Sequence, residues 1–192
     1  MTSKEFDSLK IEVIDRLHNK LSEHLYYHCP QHTERVLKAA VFIAKKEKIK
    51  GHDLLLIKLA ALYHDYGFVN TYANHEEEGC RIAAEELKVM GFNSSDIQKI
   101  CGMIMATKIP QQAHNILEQV VADADLEYLG TKDFDHISKK LYLELLYRNP
   151  ELTIENWNKI QVDFMENHRY FTDYAKKNLE EKKREHSDKL KI

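Results

Sequence analysis

Apolar residues recur at three- and four-residue spacing along most of the chain, and that spacing predicts helices. Phe6, Leu9, Val13, Leu17, Leu21 and Leu25 share one face, so a first amphipathic helix is expected to about Leu25. Thr2 and Glu5 fit a capping box at its start. Cys29 precedes Pro30 and is biased out of helix, whereas Pro30 suits a first helical position. A second helix follows through Val36, Ala40, Ile43 and Ala44 to about Lys48. Gly51 separates it from Leu54 to Gly67, LLLIKLAALYHDYG, with Asp53 as a candidate cap. Only Lys58 interrupts the apolar residues ahead of the adjacent pair His64-Asp65. Such a helix should be buried on nearly every side.

Gly67 is expected to end that helix in a left-handed conformation. Asn74 and Glu77 repeat the capping-box pattern and start a helix at His75 that ends at Gly91. Ser95 to Gln98 opens the next, with Ile97, Ile100, Cys101 and Ile104 inward, and Pro110 stops it. Leu117 to Gly130 and Phe134 to Arg148 read as helices, and Thr153 caps another through Trp157, Ile160 and Phe164. A last helix carries Phe171, Tyr174, Ala175 and Leu179. Its end, EEKKREHSDKLKI, reads as a solvated helix fraying into water. No strand alternation, repeat or linker is convincing. The pattern gives an all-α fold, one domain over residues 1–192, with about eight or nine helices.

Composition narrows this reading. At 192 residues and 43% apolar content, the chain can build one normal core. Six Gly and three Pro are few, which favours long helices over short strands. A formal charge of -3 gives no global field for nucleic acid or anionic membrane. Three Cys without paired spacing (Cys29, Cys80, Cys101) suit a reducing compartment. With neither a signal-peptide run nor a membrane span, a cytoplasmic protein is the expectation. Eleven His is the compositional oddity.

Several of these polar residues fall where the pattern expects core. An imidazole and a carboxylate at the end of a buried helix are costly unless they pair or bind a metal. His32 opens the second helix. In VVADADLEYLG, Asp125 lies roughly 80° from the middle of the apolar face and Asp123 roughly 120° on the other side. Asp125 is therefore the better inward carboxylate, and Asp123 is expected to face solvent or to act as a supporting partner. Two imidazoles and two carboxylates from three helices make a nitrogen and oxygen site suited to Mn, Fe, Ni, Co or Zn. The Cys spacing does not suit structural zinc.

The order His32, His64-Asp65, Asp125, with the phrases HTERVLKAA, AALYHDYG, NHEEEG and DADLEYLG, resembles the HD-domain superfamily of metal-dependent phosphohydrolases. The resemblance spans about Tyr26 to Gly130, and HRYFTDYAKKNL is similar to the tail of small stand-alone members. It implies a helical HD/PDEase-like bundle, with the helices of about 134–192 packed on the motif-bearing part. It also implies His32, His64, Asp65 and Asp125 as ligands of a divalent ion (Mg joins the candidates), with Asp65 also catalytic. Tyr27 to His32, YHCPQH, resembles the YHNxxH segment of cyclic-nucleotide phosphodiesterases, with Cys29 in place of Asn. That implies His28 as a general acid. Downstream, His75 is a candidate for a second metal or a phosphate oxygen, placed among free N–H groups at a helix start. Lys108 and Arg35 are the candidate cations for a phosphoryl group.

Departures from the family narrow the expectation. CGMIMATKIP offers no His where two-metal members carry one; Thr107 and Lys108 stand there instead, and His114 lies in the next loop. One metal, or a second held partly by water, is expected. Phe68 stands three residues after Asp65, so the HDxxE pattern of deoxynucleotide phosphatases is missing. The leading expectation is hydrolysis of a small phosphorylated molecule, a nucleotide or cyclic nucleotide among the options. Alternatives are a di-iron oxygenase of the same fold and a non-catalytic metal- or nucleotide-binding module. Nothing in the pattern gives an oligomeric state.

Overall fold

The computed structural model describes residues 1–191. Among the described residues ten α-helices run in order: α1 Ser3–Lys20, α2 Pro30–Lys46, α3 Gly51–Tyr63, α4 His75–Val89, α5 Ser94–Met105, α6 Ile116–Asp125, α7 Phe134–Arg148, α8 Ile154–Asn167, α9 Asp173–Asn178 and α10 Glu180–Leu190. Two short 3₁₀ turns, Tyr66–Val69 and Glu127–Gly130, follow α3 and α6. There is no strand among the described residues. No described helix is long and apolar enough to cross a membrane.

α3 is the buried axis. Leu56, Ile57 and every residue from Leu59 to Tyr63 are buried, as its apolar composition predicts. α1, α2, α4, α5 and α6 wrap it in one core that includes Phe6, Leu17, Val36, Ile43, Leu87, Ile100, Ile104 and Val121. A second core joins the loop before α2 to the C-terminal half through Tyr27, Leu126, Tyr128, Leu129, Phe134, Ile137 and Met165. The metal-type residues lie between these two cores.

Local caps explain where the elements begin and where they depart from pattern. The Thr2–Glu5 capping box forms, and Thr153 accepts from the Asn156 amide. α1 stops at Lys20, short of Leu25, because the chain must leave the helix to donate the Tyr27 and His28 amides to Glu144. Asp53 does not cap α3; Lys50 holds that position and Asp53 lies in the first turn, where its charge suits the dipole. The Asn74–Glu77 box does not form, since Asn74 is itself left-handed with φ 57° and its side chain makes no cap bond. α5 begins at Ser94, with Asn93 accepting from Asp96. Leu117–Gly130 is not one helix, because α6 ends at Asp125 and the chain tightens into a 3₁₀ turn.

Gly67 is not left-handed either; the described glycines with positive φ are Gly51 and Gly91. It is needed for close approach. A Cβ there would lie 1.9 Å from the His75 carbonyl oxygen and 2.8 Å from the Gly79 nitrogen. That contact presses the start of α4 against the turn after His64-Asp65.

Two expectations about polar residues are overturned. Asp123 does not face solvent. It is buried and accepts from the Phe171 and Thr172 amides at 2.9 and 2.8 Å and from the Thr172 hydroxyl at 2.7 Å, tying the C-terminal segment to α6. The charged C-terminal run does not fray from Glu180. Lys183, His186 and Ser187 of α10 are buried. Lys183 Nζ donates to the His168 carbonyl at 2.6 Å and pairs with Glu180 at 2.9 Å, while His186 Nε2 donates to the Thr131 carbonyl at 2.8 Å. Paired partners make burial of these groups tolerable.

Candidate metal centre

α2, α3 and α6 each deliver one part of a single polar cluster. His32 comes from the first turn of α2, His64 and Asp65 from the end of α3, and Asp125 from the end of α6. His32, His64 and Asp125 offer ligand atoms all within 4.8 Å of one another. His32 Nε2 lies 3.0 Å from Asp125 Oδ1, and the Nε2 atoms of His32 and His64 are 3.2 Å apart. Asp65 Oδ2 lies 3.2 Å from both nitrogens. Asp125 thus joins the cluster and Asp123 does not, although Asp123 is the more deeply buried of the two.

The donor set suits a cation. Asp65 Oδ2 is buried without a hydrogen-bond partner, because neither imidazole N–H points at it. A buried carboxylate oxygen left unpaired calls for an ion or equivalent donor. Burial alone would lower the His64 pKa, but Asp65 and Asp125 beside it raise it well above its ordinary value. Burial would raise Asp65, and the imidazoles of His64 and His32 hold it well below the usual carboxylate range. The same negative field attracts a divalent ion.

Tautomers follow from the outer contacts, since hydrogens are assigned from partners. His64 Nδ1 lies 2.9 Å from the Ala61 carbonyl, so it carries a proton, and the neutral ring that a metal requires would present its lone pair at Nε2. Arg35 Nη2, a donor only, lies 2.5 Å from His32 Nδ1. That contact puts the His32 proton on Nε2, pointing at His64. A metal between the two nitrogens requires this proton to move to Nδ1 and Arg35 to turn aside. Arg35 is therefore not an open phosphate contact here. Its guanidinium also covers the rings of Tyr27 and Tyr128, at 5.8 and 5.6 Å.

His28 stands beside the cluster, its ring 6.0 Å from that of His32. Its partner is Glu144 of α7, which no sequence motif links to it. Glu144 is buried and accepts from the Tyr27 amide at 2.9 Å, the His28 amide at 3.1 Å and His28 Nδ1 at 2.5 Å. Burial would lower the His28 pKa, but Glu144, Asp65 and Asp125 raise it overall. Burial would raise Glu144, and His28 with the two amides brings it down. Glu144 thus favours the protonated form of an imidazole that lines the cleft. The sequence signal was an acid on the stripe Ile137, Leu141, Glu144 of an otherwise apolar face.

The remaining candidates divide. His75 Nε2 lies 3.6 Å from Asp65 Oδ1 and 3.5 Å from Glu76. Burial lowers its pKa, against the pull of Asp65 and Glu76. Phe68 stacks between His75 and His28, with centroids 3.8 and 4.4 Å away. Lys108 is not brought to the cluster. It is half-buried, lies outside the lining of the site and is paired with Glu77, while its neighbour Thr107 lines the site. His114 likewise lies outside the residues that line it.

The HD domain model matches residues 31–127, which include all four converging side chains. The chain belongs to the HD domain family. Among solved structures, a predicted HD superfamily hydrolase from an uncultured Thermotogales bacterium matches with a TM-score of 0.63 at 21% identity, covering 94% of this chain and 88% of that one. A Lactobacillus plantarum protein matches with a TM-score of 0.68 at 18% identity, covering 99% and 96%. At these identities the likeness is one of fold. No curated protein matches the sequence.

The HD cluster opens into a cleft of about 420 Å³. Tyr27, His28, Asp65, His75, Glu76, Thr107 and Asp125 form its polar end. Its other end comes from α7, α8 and the turn before them, beyond the matched residues 31–127.

Proposed function

We propose that this HD protein is a metal-dependent phosphohydrolase acting on a small phosphorylated molecule. The observation that carries the reading is Asp65 Oδ2, buried without a hydrogen-bond partner between two imidazole nitrogens, with the His28–Glu144 pair beside it. His32, His64, Asp65 and Asp125 would hold one divalent cation. When bound, it supplies a Lewis acid for a phosphoryl oxygen and lowers the pKa of water.

The chain's own residues supply the rest. His28, kept protonated by Glu144, gives a proton from Nε2 to the leaving oxygen as the P–O bond breaks. Glu144 holds the ring through Nδ1 and fixes which nitrogen faces the cleft. His75 stands on the far oxygen of Asp65, where it donates to a phosphoryl oxygen or joins a second cation. Phe68, packed between His28 and His75, spaces the two rings and excludes water from their faces. Lys108 would reach a phosphate only by leaving Glu77.

Two measurements test the reading. Metal analysis of the purified chain should find close to one divalent ion. Phosphate release from a panel of phosphoesters with Mn²⁺ added should exceed the metal-stripped control. Two irons per chain and no phosphate release would favour the oxygenase of this fold instead.

A further inference from the structure

The polar residues occupy one end of the cleft only. The opposite wall is Leu129, Leu141, Leu145, Trp157, Phe164 and Met165. No Lys or Arg lines the cleft among the described residues, whereas Asp65, Glu76 and Asp125 all do. The neighbouring cations are already engaged: Arg35 on His32 and two tyrosine rings, Lys108 on Glu77, and Arg148 over the Tyr72 ring. We infer that the site takes an ester of a single phosphate whose body is uncharged and largely apolar, seated against α7 and α8. The inference rests on the phosphohydrolase reading for the polar end.

Charge and desolvation carry the argument. One phosphoryl group meets the cation and His28. A second or third phosphate would lie against carboxylates or against an apolar wall, with no side-chain cation to pair it, and an unpaired buried charge is strongly disfavoured. A sugar phosphate fares poorly for a related reason. Its hydroxyls would lose water, and Gln161 is the polar side chain of the α8 wall, with its carbonyl oxygen already accepting from Ser138. An aryl or alkyl body instead exchanges water for leucine, tryptophan and phenylalanine side chains, which is favourable in proportion to the area covered. The volume falls within the range of small-molecule pockets.

Trp157 is the chain's single tryptophan and forms part of this wall, so its emission reports occupancy. The test titrates the full chain, with Mg²⁺ present, against four phosphonates that bind without being hydrolysed. Phenylphosphonate and hexylphosphonate should bind at least about tenfold tighter than methylphosphonate and shift the Trp157 emission. Methylenediphosphonate should bind no tighter than methylphosphonate. Phe164→Ala should cut the phenyl-over-methyl preference about fivefold or more. Ile160, at the rim and 50% exposed, provides a second variant that does not empty the core, and Ile160→Ala should cut the preference about twofold. Equal binding of methyl- and phenylphosphonate, or tighter binding of methylenediphosphonate, would overturn the inference. Turnover is read separately, with Mn²⁺. Faster phosphate release from ATP or pyrophosphate than from phenyl phosphate would overturn the substrate class and leave a hydrolase. The phosphonate preference without hydrolysis of any ester would support the ligand class and remove the hydrolase reading.

Discussion

Replacing His28 by alanine should leave metal content unchanged and slow only the step in which the leaving oxygen is protonated. A positioned general acid contributes about 10²- to 10⁴-fold. That full penalty is expected on phenyl phosphate, whose phenolate leaves poorly without a proton. On 4-nitrophenyl phosphate, whose leaving group needs little help, the penalty should shrink to about tenfold or less. Glu144→Gln probes the same proton from the other side. The variant keeps an acceptor oxygen for the Tyr27 and His28 amides but replaces the charged bond to His28 Nδ1. A charged hydrogen bond contributes about 1.5–3 kcal/mol, so loss of that support should lower kcat on phenyl phosphate about 10- to 100-fold at neutral pH. The sign in pH follows from the raised His28 pKa. The acid is competent below that pKa, so kcat falls as pH rises through it. Glu144→Gln should move that alkaline limb to lower pH. Steady-state rates across pH on the two esters, with metal content measured in each variant, check all of this. Equal losses on both esters, or His28→Ala protein stripped of metal, would refute the general-acid role.

Other outcomes follow from the same geometry. Asp65→Ala should lose metal and phosphate release together, read by elemental analysis and the ester panel, because it removes the oxygen lying between His32 and His64. Gly67→Ala should destabilise by about 3 kcal/mol or more in urea titration, since the added Cβ meets backbone of α4 that cannot rotate away. Asp123→Ala strands two amides at about 1–3 kcal/mol each, so a loss of about 2–6 kcal/mol is expected, with faster hydrogen exchange at Phe171 and Thr172.

Much of the architecture was legible because it depends on short-range signals. The three- and four-residue spacing placed the helices, and Thr2, Pro30 and Thr153 marked starts that the structure keeps. What failed depends on partners distant in sequence. Asn74 and Asp53 look like caps in isolation, but the close approach at Gly67 fixes the start of α4 beside Asn74, and α3 already begins at Gly51, which leaves Asp53 inside its first turn. Asp123 looks outward by helix angle until Phe171 and Thr172 arrive to donate three hydrogen bonds. The charged tail looks solvated because Lys183 and His186 find their partners at His168 and Thr131, well upstream.

The site divides along the same line. His32, His64, Asp65 and Asp125 could be singled out because a charged group within an apolar period is visible locally. Glu144 was visible in the same way, as an acid on the α7 stripe, but no motif tied it to His28, which lies 116 residues earlier. The apolar wall of the cleft had no distinguishing signal, because a leucine lining a cleft and a leucine filling a core follow the same period. On the proposed function, chemistry and selectivity come from different parts of this chain. The cation-type cluster lies within residues 31–127, whereas Glu144 and most of the apolar wall come from helices beyond them. Substitutions in α7 and α8 should accordingly alter which ester is accepted without disturbing the cluster, except at Glu144, where the two halves meet.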